Sequence, residues 1–459
     1  MKQAVGRIDT AQMVVATAAI GLAAVLLLTG PEALLLRVAA ISALSVALFA
    51  TRLLPEVVTA LGTFLAFIAL SAAPPAVIFS GFTSSGFWLL FAGLIIGTAI
   101  TATGLGMQLA LRLFQRTGHS YVRAALLLAI CGVGLGLLVP STLPRVIVLM
   151  PIALSLAQTM GYAVGSRGHV GLCVTAAVAT LLPTYAFLTA NLPTIIHFAA
   201  TETLYGASPS YAQYFVEQAP INLMRLLVLL ALMLPYAPAR ADAASTVEAP
   251  TPLTIVQRRL LALLSVAIVL WMTDAWHGIS PAWVALSLAA LLLVPMFGML
   301  DATAMRTKVD LSPAFFLAAV FAISAMAQAT GLGTAVADRL VPLLGLGSGG
   351  LRDLYAITGL SVVLSHLTTA PAAPAVLVPM AATFASQTGW AVETVAMAQV
   401  IGLATPILPY QAPPLIVAMS LATIPVSALL RVCLWLAVAV AIVGLPMTYL
   451  WWSWLGMLG

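Results

Sequence analysis

Residues 88–106 read WLLFAGLIIGTAITATGLG, and residues 315–333 read FFLAAVFAISAMAQATGLG. Each is an uncharged apolar run about as long as the ~20 residues of helix needed to cross a hydrocarbon core. Each also ends in Thr-Gly-Leu-Gly, the second copy 227 residues after the first. Two further correspondences keep the order: Leu149-Met150-Pro151 recurs as Leu377-Val378-Pro379, 228 residues on, and Leu192-Pro193 as Pro413-Pro414, 221 on. Three matches in one order at nearly one offset mark an internal repeat.

Outside these runs the chain keeps the same character. Of 459 residues, 62% are hydrophobic and 7% charged, against roughly 25% charged in soluble domains, which excludes a soluble protein. The apolar residues come in blocks and do not alternate, which excludes a membrane β-barrel. Cations outnumber acids 18 to 13, spread over short loops, so the excess of +5 reads as topology and not as a nucleic-acid surface. Cys131, Cys173 and Cys433 lie far apart in apolar segments without metal-ligand spacing, and no metal site is expected.

The pattern predicts an all-α polytopic membrane protein of about eleven transmembrane helices plus two re-entrant hairpins in an inverted repeat. An N-terminal helix falls in residues 1–30, near 13–29. The first repeat takes 31–236 with a hairpin over 122–160, a cytoplasmic linker 237–257, and the second repeat 258–459 with a hairpin over 354–387. Lys2 and Arg7 place the N-terminus in the cytoplasm, and the acid-free loop with Arg112, Arg116 and Arg123 falls on the same side. The 331–353 loop, where Asp338 and Asp353 cancel Arg339 and Arg352, falls outside, as does the C-terminus. The two Thr-Gly-Leu-Gly corners therefore face opposite ways, in the inner membrane of the cell. Spans near 221–235 and 427–452 close the two halves, with Glu202 and Glu217 in an outer loop.

Inverted repeats with interrupted helices are a transporter signature, the substrate site lying where broken helices free backbone groups. Prolines 140 and 144, 183 and 193, 371 and 374, and 406, 409, 413 and 414 mark four such breaks. Ser141 and Thr142 read as a helix-start cap able to hold an anion, and Thr368 and Thr369 as its counterpart. Arg145 stands just past the first tip at membrane depth, where a cation needs a partner. No first-half acid maps there, so an anionic substrate is expected to be that partner, the other reading being an arginine that snorkels to the cytoplasm or is held by backbone carbonyls. Asn191 and Gln411 sit inside the two long breaks and offer donors and acceptors, for substrate or for backbone freed by proline. His197 and His366 are candidates to carry a coupling proton. Gly93 to Gly97 and the series Gly132, Gly134, Gly136 read as close helix packing.

The order of elements resembles the divalent anion/sodium symporter family, the dicarboxylate, citrate and sulfate carriers of the ion transporter superfamily, over about residues 30–455. Its most specific pieces are FSGFTSSGFWLLFAGLIIGTAITATGLG from Phe79, LMPIAL ending at Leu154, and TPILPYQAPPLIVA from Thr405. The resemblance implies that the hairpin tips bind substrate, here at Ser141-Thr142-Leu143 and near Thr369. It implies the same of the breaks, here Thr189 to Pro193 and Leu408 to Leu415 with Pro413 in the framework. It further implies an elevator mechanism and a homodimer in the lipid bilayer. The family's tip asparagines, which help hold sodium and substrate, are replaced by Thr142 and the Thr369 region. Transport is accordingly expected not to require sodium, which leaves Na+ or H+ coupling open and calls for no other cofactor.

The function expected is secondary active transport of a small anion, a di- or tricarboxylate or a sulfate-like ion. A cation/proton antiporter or metalloid exporter of the same superfamily is the alternative, although it would want acids at membrane depth. No HExxH, Ser/Lys pair or P-loop supports an enzyme or an ATP-driven pump.

Overall fold

The computed structural model describes residues 33–70, 73–114, 120–139, 141–238, 251–297, 299–300 and 302–458. The expected first helix in 1–30, Arg116, Pro140 and most of the 237–257 linker lie outside them. Among the described residues there are helices and no strands, and nine helical stretches are long and apolar enough to cross a membrane.

Helices of eight residues or more take numbers in chain order. The first half holds α1 (Leu34–Thr51), α2 (Glu56–Leu70), α3 (Ser85–Thr103), α4 (Leu105–Phe114), α5 (Tyr121–Leu138), α6 (Thr142–Thr159), α7 (Arg167–Ala179), α8 (Leu192–Tyr205) and α9 (Tyr211–Met233). The second half begins with α10 (Ile255–Met272), α11 (Pro281–Leu293), α12 (Ser312–Ala329), α13 (Leu332–Leu344) and α14 (Leu351–Leu367). It ends with α15 (Ala381–Thr388), α16 (Val392–Leu403), α17 (Pro413–Ala422), α18 (Val426–Ala439) and α19 (Leu445–Trp454). A π turn, Val440–Gly444, joins α18 and α19 into one rod.

The repeated tetrapeptide is a repeated corner. Gly104 ends α3 at φ +67° and Gly331 follows α12 at φ +74°, a left-handed conformation that residues with a Cβ adopt reluctantly. The next glycine of each motif then presses the corner onto a helical arm. A Cβ on Gly106 would lie 3.3 Å from Val148 Cγ1 in α6, and one on Gly333 would lie 2.5 Å from Pro379 Cβ.

Each corner leads to a helical pair. α5 and α6 occupy the expected 122–160 stretch. α14 and a helical path through Pro374–Leu377, the 3-10 turn Val378–Met380 and α15 occupy 354–387. A broken helix follows each pair: α7 and α8 flank residues 180–191, and α16 and α17 flank residues 404–412. Pro193 in the first turn of α8 and Pro413 opening α17 suit these positions, since a fixed φ favours the turn and the missing N–H has no partner there anyway.

Packing is crosswise between the halves. The closing arm of the first pair, α6, lies on α17 of the second break, and Pro374–Leu377 of the second pair lies on α8 of the first. Both tips and both breaks are thereby gathered into one region.

One expectation is corrected here. The span placed near 221–235 is α9, which starts ten residues earlier, with the Ser210 hydroxyl accepting from the Gln213 N–H at 3.1 Å. Glu217 is thus a buried helical residue and not a loop residue, and Glu202 belongs to the last turn of α8. Residues 211–218, YAQYFVEQ, mix polar with aromatic side chains, so hydropathy averaging trims this end of the helix.

Candidate functional site

A cavity of about 350 Å³ lies where the tips and breaks meet. One wall carries Ser141 and Thr142 of the first tip, Thr369 to Pro371 of the second, Tyr185 and Asn191 of the first break, and Gln411 and Pro413 of the second. Six of the residues singled out in the sequence, Ser141, Thr142, Asn191, Thr369, Gln411 and Pro413, share this wall. Phe49 of α1 and Phe316 of α12 face the cavity as well, their rings edge to face at 4.7 Å. Arg52, Glu56 and Asp310 reach it from helix ends that are partly or fully exposed.

Three helices, α6, α8 and α17, begin on this cavity, and the residues at their N-cap positions make no side-chain cap hydrogen bond. A helix start carries unpaired N–H groups and the positive end of the helix dipole, which together form a ready seat for an anion. α17 contributes its dipole but few donors. Pro413 and Pro414 have no N–H, and the Leu415 N–H already binds the Ala412 carbonyl at 2.8 Å.

Arg145 is fully buried and is not part of the wall. Its Nε donates to the Ser141 carbonyl at 3.2 Å. Its Nη2 donates to Thr142 Oγ1 at 2.8 Å, the Ala190 carbonyl at 2.7 Å and Asn191 Oδ1 at 3.0 Å. Thr142 Oγ1 also donates to Asn191 Oδ1, at 3.0 Å, and Asn191 Nδ2 to Thr184 Oγ1 at 3.2 Å. The guanidinium therefore stitches the first tip to the first break from behind, and the Asn191 amide is held in one orientation.

Gln411 does the corresponding work in the second break. Its Oε1 accepts from the N–H groups of Ile407 and Leu408 at 2.8 and 2.9 Å, donors that the break leaves without helical carbonyl partners, and Nε2 approaches Ser365 Oγ at 3.4 Å. Thr368 stands off the wall with its hydroxyl on the Leu364 carbonyl at 2.7 Å, while the Thr369 carbonyl accepts from the Ala372 and Ala373 N–H groups. The two histidines also stand off the wall. His366 Nδ1 is 2.5 Å from the Val362 carbonyl, and His197 is fully buried with neither ring nitrogen hydrogen-bonded.

The structure adds a residue that the sequence reading passed over. Arg225 of α9 is fully buried, with Nη1 donating to Asn222 Oδ1 at 2.8 Å and Nη2 to the Ile401 carbonyl at 3.1 Å and Thr405 Oγ1 at 3.0 Å. It ties α9 to the start of the second break as Arg145 ties α6 to the end of the first. Asn222 and Arg225, one turn apart inside an apolar run, were the available signal. Among the described residues no group of three or more His, Cys, Asp or Glu side chains could hold a metal.

Repeated corners, paired arms and broken helices, with helix starts converging on one cavity, define a membrane anion transporter. The chain belongs to the sodium:sulfate symporter family, whose transmembrane region matches residues 10–458, and the resemblance read from the sequence is borne out. A protein of Cupriavidus necator described as a membrane protein is 25% identical over 395 residues, 82% of this chain and 76% of that one. The L-tartrate/succinate antiporter of Escherichia coli K12 is 28% identical over 237 residues, so the match spans about half of each chain, 47%. Among solved structures, the YdaH transporter of Alcanivorax borkumensis aligns with a TM-score of 0.56 at 16% identity, over 87% of this chain and 89% of that one. MtrF of Neisseria gonorrhoeae aligns with a TM-score of 0.56 at 15% identity, over 85% and 84%.

Proposed function

We propose that this chain is a secondary active carrier of small dianions, dicarboxylates first among them, working in the inner membrane by an elevator motion in which the tips and breaks travel with the substrate. The observation that carries this reading is the convergence of three helix starts without side-chain caps, with the Ser141, Thr142 and Thr369 residues, on one wall of a single cavity. The Escherichia coli relative, named as a tartrate/succinate antiporter, favours dicarboxylates and exchange. Cation antiport would want carboxylates among the tips and breaks, whereas Glu56 and Asp310 reach the cavity only from helix ends. Arg145 acts in this scheme as a positioning residue for Thr142 and Asn191. The homodimer implied by the resemblance belongs to the same reading.

Arg52, Glu56 and Asp310 lie on the side that the charge rule assigns to the cytoplasm, so the cavity is read as open inward. The absence of the tip asparagines supports exchange or proton coupling in place of sodium coupling. Proteoliposomes preloaded with succinate and offered labelled succinate, L-tartrate, citrate, sulfate or taurine, with and without sodium, test this directly. Dicarboxylate uptake is expected in sodium-free buffer. Uptake that appears only with sodium overturns the coupling assignment, and no dicarboxylate uptake under any gradient overturns the carrier assignment.

A further inference from the structure

Arg145 and Arg225 share an uncommon condition. Both are fully buried, both bind neutral partners, and neither has a carboxylate at ion-pair distance; the ion pair recorded among the described residues is Arg52 with Glu56, at 3.9 Å. A guanidinium keeps its charge in a protein, and an unpaired buried charge is costly. A neutral amide could serve the Ala190 or the Ile401 carbonyl taken alone. What arginine adds at both places is further donors and, unlike any neutral side chain, a fixed charge. Arg145 donates to Thr142 and Asn191, both residues of the cavity wall, and Arg225 to Thr405, which leads directly to the wall residue Pro406.

We infer that Arg145 and Arg225 form a fixed doubly positive field behind the cavity wall, which selects a doubly charged anion over a singly charged one without touching it. The inference rests on the carrier reading above and sharpens its substrate class. Low-dielectric walls focus such a field into a cleft. At an effective dielectric constant of about 20, one unit charge ~10 Å from the substrate's second carboxylate is worth roughly tenfold in affinity. With a dianion bound, the two substrate charges offset those of the two buried guanidinium groups, apart from Arg52, Glu56 and Asp310, which reach the cavity from partly or fully exposed positions.

Asn222 allows the charge to be cancelled while the guanidinium stays in place. Asn222→Asp puts a carboxylate where Oδ1 now accepts from Arg225 Nη1 at 2.8 Å, and the adjacent cation keeps that carboxylate ionised. Calorimetric titration of the purified protein with succinate and with its monomethyl ester, at about pH 8 where every free carboxyl is ionised, gives a dianion-to-monoanion preference. That preference is expected to fall roughly tenfold in Asn222→Asp and in Arg225→Gln, and to hold in Asn222→Ala, which loses the hydrogen bond but no charge. An unchanged preference in Asn222→Asp, or an equal fall in Asn222→Ala, overturns the inference. Should Arg225→Gln not fold, the two Asn222 variants decide alone. A parent protein that binds neither compound shows that the carrier reading itself fails, before any variant is made, and this inference falls with it.

Discussion

At the scale of single residues, Arg145 shows both the reach and the limit of sequence reasoning. Its depth was legible, because an arginine one residue past a proline-marked tip has no acid to pair with. Its partners were not, because Ala190 and Asn191 approach it only through the fold of the first break, 45 and 46 residues further along the chain. Removing the side chain takes the Arg145 donor from the Ala190 carbonyl, at about 1–3 kcal/mol for a buried group left unsatisfied, while Asn191 Oδ1 keeps the Thr142 hydroxyl. Arg145→Ala is therefore expected to lower the melting temperature of the substrate-free protein clearly. A variant as stable as the parent yet unable to bind would return Arg145 to direct substrate contact. Thr142→Val, which keeps the shape but loses the hydroxyl, should weaken dicarboxylate affinity by about 1 kcal/mol with less effect on melting; unchanged affinity would remove Thr142 from the site. Arg225 stayed hidden for a different reason. A helix thought to start near 221 puts it close to an end, where arginine commonly snorkels, and only the start at Tyr211 sets it well inside.

Helices explain the glycines better than the sequence alone could. The series Gly132, Gly134, Gly136 reads as packing, but the helical period splits it, since residues four apart share a face and those two apart do not. A Cβ on Gly136 would sit 2.5 Å from Thr184 Cγ2 and 3.0 Å from Arg145 Nη1, and one on Gly132 2.9 Å from Ala179, whereas Gly134 meets nothing within 4 Å. Gly136→Ala should therefore cost about 1–3 kcal/mol through overpacking and disturb the first break. Gly134→Ala should be neutral or stabilising by up to about 1 kcal/mol. Parallel melting curves check the contrast, and equal losses would mean that α5 does not lie on the break as described. Gly402 in α16 has the same office in the second half, with a Cβ meeting Thr358 O and Ser361 Cβ of α14, each at 2.5 Å.

Over the whole molecule, what was legible is what the chain encodes locally: two glycine corners, two proline-marked breaks and the apolar runs between them. The crosswise packing of α6 on α17 and of Pro374–Leu377 on α8 was not, because no local signal names a partner half a chain away. The opposed orientation of the halves can be checked by labelling. Single cysteines at Arg123 and Arg352, both exposed, are expected to react from opposite faces of the membrane, with little background from the buried Cys131, Cys173 and Cys433. Reaction from one face would undo the inverted arrangement. One feature of the cavity bears on the proposed elevator motion. The rings of Phe49 and Phe316 line the same cavity as the polar tips, attract by dispersion and offer no directional bonds. A polar surface dragged along a polar neighbour must break and remake hydrogen bonds at each step, and stalls between them. Under the proposed elevator motion, the stretch of path lined by these two rings is smooth, so friction on the loaded site is expected to stay low there.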